Sequence, residues 1–385
     1  MYFDIAYYFR VLRHVWSLKQ WPGKRGMLFR LLLVVPLVSA FHALCFLLDY
    51  VFFPRLWRQT VERPVFIIGH ARSGTTLAHR LLAADGNQFS YFLYWELFFP
   101  SLLQKKLIRA LGRLDALLGS PCLTRLQRWD DKTFGPTRHI HHMSLWNAEE
   151  DQFVMRAAFV TQQWALDVPM MDKIDLFHLD QMSDKKRRRW LHHYRECVKR
   201  QLLLNGGERT HLSKNPLMCG WVAALQETFP DARFVVMLRN PNECIPSTLR
   251  LLELSWKGRG WQPEQYRESL RVMTEISFES IRHPREVLAG HDQAVFVDYR
   301  KLVAEPRDTV HEVYAALGLT VSPSFDAYLR AQQDRERNHQ SRFTYNIDDY
   351  AVSVDDIEGE LSELFDEYQW PRLSRRSDLV KSVGP

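Results

Sequence analysis

Three short runs of uninterrupted apolar residues, Val65 to Ile68, Phe234 to Leu238 and Val295 to Val297, are each followed by turn residues and then a stretch with helical spacing. A run that is apolar at every position fits a strand covered on both faces. Strands alternating with helices in this way predict an α/β fold, a mostly parallel sheet flanked by helices. Ligands of such sheets bind beyond the carboxyl ends of the strands. Between the first two runs, a helix is expected from about Leu102 to Leu118, broken by Gly119-Ser120-Pro121, and a helical, loop-rich region extends to about Asn205. Ser183 or Asp184 is positioned to cap a helix there, on which Trp190, Tyr194, Cys197 and Val198 recur at core-facing spacing. The basic run Lys185 to Arg189 then reads as a solvated face. A last amphipathic helix is expected around Ile357 to Tyr368.

The first 60 residues follow a different pattern. Leu31 to Leu48 is apolar apart from Pro36, Ser39 and His42, with Lys24, Arg25 and Arg30 ahead of it and Arg55 and Arg58 behind. Its length sits at the lower edge of a bilayer span. Upstream, Tyr2 to Arg13 mixes aromatics with arginine, as interfacial helices do. The apolar core starts too late for a secretion signal. A single span with the N-terminus held inside by the basic residues is one arrangement. Against it, only about sixteen residues separate Leu48 from the first strand, and Pro36 would bend the helix at mid-membrane. The expected arrangement is therefore a helical segment 1–60 lying on the membrane, with residues 1–57 making the contact and a cytoplasmic domain 61–385 behind it; packing of these helices on the domain or on a second copy is the alternative. Within the domain, about 100–210 reads as an acceptor or lid region and about 331–385 as a basic loop and helix.

Charge and cysteine content narrow the chemistry. The formal net charge of +6 suits an anionic ligand or a membrane surface, and no aromatic–basic spacing of a nucleic-acid module is present. Five scattered cysteines without Cys-x-x-Cys pairs read as reduced and mostly buried.

The most informative segment is Gly69-His70-Ala71-Arg72-Ser73-Gly74-Thr75-Thr76, placed between a strand and an amphipathic helix. Two glycines let backbone N–H groups converge, the helix start adds its positive dipole end, and the threonines add hydroxyl donors: an anion cradle. Thr75 stands where a Walker loop carries its phosphate-reading lysine, which weakens a nucleotide-dependent kinase reading. A second strand-to-turn segment, Leu238-Arg239-Asn240-Pro241, is followed by Ser247, so that Arg239 and Ser247 can grip a further phosphate.

Together the two segments resemble the sulfotransferases that use 3′-phosphoadenosine 5′-phosphosulfate (PAPS), in particular the bacterial and tyrosylprotein-type enzymes. Ser213-Lys214-Asn215-Pro216, Phe229-Pro230-Asp231-Ala232-Arg233-Phe234 and Val297-Asp298-Tyr299 extend the similarity over about Pro64 to Trp370. Ala71 departs from the proline usual in relatives, which loosens the loop. The resemblance implies PAPS as co-substrate, bound through Arg72, Ser73, Gly74, Thr75, Thr76, Arg239 and Ser247, with Arg335, Arg337 and Arg342 closing over the 3′-phosphate. No metal is required, because a sulfuryl group carries less charge than a phosphoryl group and the cations Arg72 and Lys214 suffice. For the base that takes the acceptor proton, the resemblance points to Glu96, with a histidine of His139 to His142, such as His142, as the alternative. The acidic turn Glu149-Glu150-Asp151 reads as solvated or as a substrate contact. The aromatic segments Tyr91 to Phe99 and Phe153 to Trp164 favour a hydrophobic or amphipathic acceptor, such as a lipid or glycolipid. An inactive membrane-associated relative and a homo-oligomer remain compatible with the sequence.

Overall fold

The computed structural model describes residues 1–135, 143–336 and 352–373. The elements used below are α1 (Ile5–Ser17), α2 (Lys24–Phe52), β1 (Val65–Gly69), α3 (Thr75–Ala83), β2 (Phe89–Ser90), α4 (Leu102–Leu117), α5 (Pro121–Phe134) and α6 (Asp184–Leu204). They are followed by β3 (Thr210–Lys214), β4 (Arg233–Leu238), α7 (Pro241–Gly258), α8 (Pro263–Val287), β5 (Ala294–Asp298) and α9 (Pro306–Ala316). The five strands pair in the order β2-β3-β1-β4-β5, and every pairing is parallel. All residues of β1 and β4 are buried, as expected for apolar runs covered on both faces. One core cluster, holding Phe66, Phe234 and Trp190, lies on one side of the sheet, and a smaller one, holding Ile67, Leu81 and Tyr314, lies on the other.

The expected strands near Val65, Phe234 and Val295 are present, as is the break at 119–120. β3 was not legible, because its central residues are His211, Leu212 and Ser213 rather than an apolar run. They are buried nonetheless, in a polar network described below. The last helix is two short ones, Val354–Glu360 and Ser362–Glu367. The four core positions of α6, Trp190 to Val198, are buried, and Lys185, Arg188 and Arg189 point to solvent. Four of the five cysteines are buried and all are free.

The helix α2 runs through Pro36 without ending. A π-turn at Arg30–Val34 precedes the proline, and such a wide turn displaces the carbonyl with which its ring would otherwise collide. α2 is long and apolar enough to cross a membrane by length and composition alone. One face of it is fastened to the rest of the chain: Arg30 pairs with Asp167 at 3.2 Å, Ser39 donates to the Ala157 carbonyl, and His42 meets Gln104. Asp49, fully buried, pairs with Arg200 at 2.7 Å and caps α4 by accepting from the Leu102 and Leu103 N–H groups. Tyr7, Val11, Leu31 and Phe46 belong to the same core cluster as the sheet. The opposite face leaves Leu33, Leu37, Phe41, Leu44 and Leu47 exposed.

Candidate active site

The cradle is shaped by the crowding at the end of β1. Gly69 has φ +139°, and a Cβ there would lie 2.3 Å from the Met237 carbonyl oxygen of β4. Gly74 has φ +96°, and its Cβ would lie 2.4 Å from the Tyr299 ring. Only glycine fits either position. Arg72 itself sits at φ +69°, a left-handed conformation that the turn imposes on a non-glycine residue. The Ser73 hydroxyl is buried with no partner among the described residues, and α3 starts at Thr75, so the N–H groups of its first turn have no helical acceptor. Thr75 is buried and Thr76 exposed. These are the features of a loop built to receive an anion.

The second segment closes on the first. β4 runs beside β1 in parallel, which brings Arg239 and α7 against the loop. Arg239 Nη1 donates to the Arg72 carbonyl at 3.1 Å, its guanidinium lies over the Tyr299 ring at 4.4 Å, and it pairs with Glu243 at 2.7 Å. Arg72 Nε donates to Ser247 Oγ at 3.2 Å. Arg72, Arg239 and Ser247, 175 positions apart at the extremes, thus form one cluster.

On the other flank, β3 delivers Lys214 opposite Ile67 of β1. Its ammonium is buried, 3.2 Å from Glu149 and 3.0 Å from Glu150. Burial alone would lower its pKa; the two carboxylates outweigh that, so Lys214 is held above its ordinary value and charged. The acidic turn is therefore not a solvated one. Asp151 is buried against β3, accepting from Ser213 Oγ at 3.0 Å, His211 Nε2 at 3.1 Å and the Tyr194 hydroxyl, and this pins the turn in place. Glu149 is spoken for: besides Lys214, its Oε1 accepts the Glu150 N–H at 2.9 Å. Glu150 keeps a quarter of its side chain exposed.

Glu150 and Glu149 face an apolar cleft of about 430 Å³ that reaches the cradle at His70 and Ala71. Tyr94, Leu97, Phe98, Phe153, Leu217 and Met273 supply much of its wall. The aromatic segments singled out in the sequence thus do line a hydrophobic cleft. Glu96, expected as base, does not line it: it is fully buried, and its carboxylate accepts from the Leu93 N–H, Gln201 and Arg109. The Leu93 bond caps the short 3₁₀ turn Tyr94–Phe98, and with the other two it occupies three of the carboxylate's four lone-pair sites. His139, His141 and His142, and Arg337, His339, Arg342 and Tyr345 of the late basic loop, lie outside the described residues.

A family model for the sulfotransferase family matches residues 64–323, about two thirds of the chain. The chain belongs to that family. Two curated relatives, from Mycobacterium bovis and Mycobacterium tuberculosis, are 24% identical over 348 residues, covering 83% of this chain and 79% of each relative; both are named omega-hydroxy-beta-dihydromenaquinone-9 sulfotransferase Stf3. The fold is shared with the crystal structures of sulfotransferase STF9 from Mycobacterium avium (TM-score 0.67, 17% identity, 95% of this chain and 97% of that one) and STF1 from M. tuberculosis H37Rv (TM-score 0.66, 18% identity, 93% and 92%). The protein is a sulfotransferase, and PAPS is the sulfuryl donor general to its family.

Three histidines of this sulfotransferase are buried and held neutral. Burial pushes His70 down to about 4, and His79 and His193 down to about 3, from an ordinary 6.5. The unfolded chain therefore takes up these protons first, so the stability they contribute is complete above pH 6.5 and is lost as the pH falls toward 4. Lowering the pH from 7 to 5 should cost on the order of 2 kcal/mol per ring. Thermal melts across that range are expected to show a falling Tm, with a shallower fall for His79→Asn; a flat profile would show that the rings are charged in the folded protein.

Proposed function

We propose that this sulfotransferase moves the sulfuryl group of PAPS to a hydroxyl on a hydrophobic, lipid-like acceptor. The cradle residues Arg72, Ser73, Gly74, Thr75 and Thr76 hold the 5′-phosphosulfate, Arg239 and Ser247 hold the 3′-phosphate, and Glu150 takes the acceptor proton. The observation that carries this reading is the junction itself: a cleft with apolar walls meets an anion cradle, and the buried Lys214–Glu150 pair sits where they join.

The residues suit the donor. Two glycines admit a close approach, Ser73 has a buried hydroxyl to spare, and two guanidiniums stand within the same cluster. Sulfuryl transfer resembles phosphoryl transfer through a loose transition state, so alignment and charge placement supply most of the catalysis. Lys214 places its charge next to the cradle, where the bridging oxygen gains negative charge as the S–O bond breaks. Glu150 accepts the acceptor's proton as the new O–S bond forms, and Glu149 keeps Lys214 paired when Glu150 is protonated. The apolar wall excludes water that would compete as acceptor.

Two observations favour a lipid-like hydroxyl over a charged glycan. The curated relatives are named for an omega-hydroxylated menaquinone derivative, and the cleft is wide enough for the reacting end of a long chain but not for all of it. The same chemistry bears on location. The contacts of α2 with the domain, from Arg30 to Asp49, extend over roughly 28 Å of helix, close to the full depth of a bilayer core. A perpendicular span would drag Asp167 and Arg200 into hydrocarbon, so α2 lies flat, as a monotopic element on the membrane surface.

The test is transfer of labelled sulfate from PAPS to a panel of long-chain alcohols, hydroxylated quinones and soluble glycans, of which the first two should be accepted. In calorimetry, Arg239→Ala should weaken binding of adenosine 3′,5′-bisphosphate by roughly 10- to 100-fold, the worth of a charge-assisted contact. Unchanged binding would remove Arg239 from the donor site. A soluble, charged glycan as best acceptor would remove the lipid reading and leave the donor site standing.

A further inference from the structure

We propose that the hairpin of α4 and α5 is a second membrane-docking element, and that with the outer face of α2 it seats an anionic bilayer over the mouth of the acceptor cleft. The proposal deepens the function given above and rests on its lipid-like acceptor.

The hairpin projects. The start of α4 is buried, but from Ala110 through Trp129 every residue is exposed apart from Asp115 and Ser120, which are half-buried. Along α4, Leu107, Leu111, Leu114 and Leu118 recur at i, i+4, i+7 and i+11, one face of a helix, and Leu114 and Leu118 are 56% and 77% exposed. On α5, Leu126 and Trp129 are exposed as well. A leucine stripe of this length in water is a standing cost unless something apolar covers it. The turn between the helices is nevertheless well built: the Asp115 carboxylate accepts the Cys122 and Leu123 N–H groups at 2.9 Å each. An ordered hairpin with an uncovered leucine face is a surface element awaiting an apolar partner.

Charge selects the partner. Between Leu102 and Phe134 there are seven basic and three acidic residues. Asp115 is committed to the turn, and Asp130 accepts from the Leu145 N–H and Ser144. Arg113, Arg125, Arg128 and Lys132 are exposed on the same two helices. A leucine face flanked by net positive charge fits an anionic lipid surface, whereas a second copy of the same hairpin would bring like charges together.

The position of the hairpin gives the surface its purpose. Its base is fastened to α2 through Asp49 and the His42–Gln104 contact, so the two apolar elements are neighbours. The end of α5 returns to the cleft: Phe134 packs edge-on against Tyr94, which lines the cleft. From the other side, Ser39 of α2 bonds the Ala157 carbonyl, next to the cleft-lining Arg156. The cleft therefore has a membrane-seeking element at each side, and a lipid acceptor enters it sideways from the bilayer without crossing water.

The test uses the full chain, without donor or acceptor, and vesicles of phosphatidylcholine with and without phosphatidylglycerol. Sedimentation should show binding to the anionic vesicles, weakened roughly tenfold or more by the double change Leu111→Glu, Leu114→Glu on the hairpin. These residues are exposed, so the melting temperature should not move. A parallel variant on α2, Leu37→Glu with Phe41→Glu, separates the two readings. If only the α2 variant loses binding, the hairpin proposal falls and the monotopic placement of α2 stands. If the parent protein stays in the supernatant with both vesicle types, both membrane readings fall and sulfuryl transfer is untouched. If the hairpin variant instead turns a dimer into a monomer in light scattering while still binding vesicles, the leucine face is an interface between copies. Transfer to a vesicle-embedded long-chain alcohol should fall in the hairpin variant, and transfer to a short soluble alcohol should not.

Discussion

Replacing Glu150 by glutamine is expected to cut turnover by roughly 100- to 10,000-fold, the usual worth of a general base, with binding of adenosine 3′,5′-bisphosphate nearly unchanged. The argument is geometric. Glu149 and Glu150 both pair with Lys214 and face the cleft, but Glu150 is the more open of the two, with a quarter of its side chain exposed against 6% for Glu149. Glutamine keeps the size and can still accept a hydrogen bond from Lys214, so the cradle and cleft should stay as they are. What it loses is the capacity to take a proton. The pH–rate profile distinguishes this from a loss of packing: the acid limb of kcat in the parent should vanish in the variant. Glu149→Gln is the control. Its carboxylate holds the Glu150 N–H and Lys214, so this variant should lose less activity and keep the acid limb. If the two variants fell equally and both kept the limb, proton transfer would belong elsewhere, and the histidines of 139–142 would be next.

Gly69→Ala is expected to be severely damaging. The added carbon would stand 2.3 Å from a backbone oxygen of β4, which has no rotamer to yield with, and the residue's φ of +139° is one that alanine rarely adopts. Strain and overpacking each cost on the order of 1–3 kcal/mol. Relief requires β1 and β4 to part, and that separation carries Arg72 away from Arg239 and Ser247. A lower Tm together with loss of bisphosphate binding is the expected result. Gly74→Ala meets a side chain instead, the Tyr299 ring at 2.4 Å. The ring can swing aside, so stability should fall less. Because Tyr299 also carries the Arg239 guanidinium on its face, donor affinity should still drop. Equal Tm values for Gly69→Ala and the parent would show that the two strands have slack that the packing does not reveal.

The glycine-bracketed turn between strand and helix was readable from the chain because its requirements are local. A glycine at each end of a turn, a strand before it and a helix after it are consecutive in sequence. The Arg239–Ser247 spacing is likewise contained within one strand-to-helix passage. The surroundings of Glu96 and of the acidic turn were not readable, because they are assembled across distance. Nothing near Glu96 announces that Gln201 and Arg109 will consume its carboxylate from two other helices. Three consecutive acids look like a solvated turn until β3 is seen to present His211, Ser213 and Lys214 to them. β3 itself escaped notice for the same reason: a strand whose core-facing residues are polar has no apolar signature, although Lys214 within the Ser-Lys-Asn-Pro passage had already been singled out.

The central place of β1 makes the sheet a measuring device for charge. One neighbouring strand carries Lys214 and the other leads into Arg239, so the spacing between the two cations across the cradle is set by two parallel hydrogen-bond ladders rather than by flexible loops. Slippage of either ladder by one residue would turn a cation to the opposite face. Loops and helices around the cleft can therefore change without moving the two positive posts, whose separation stays with the strand pairing.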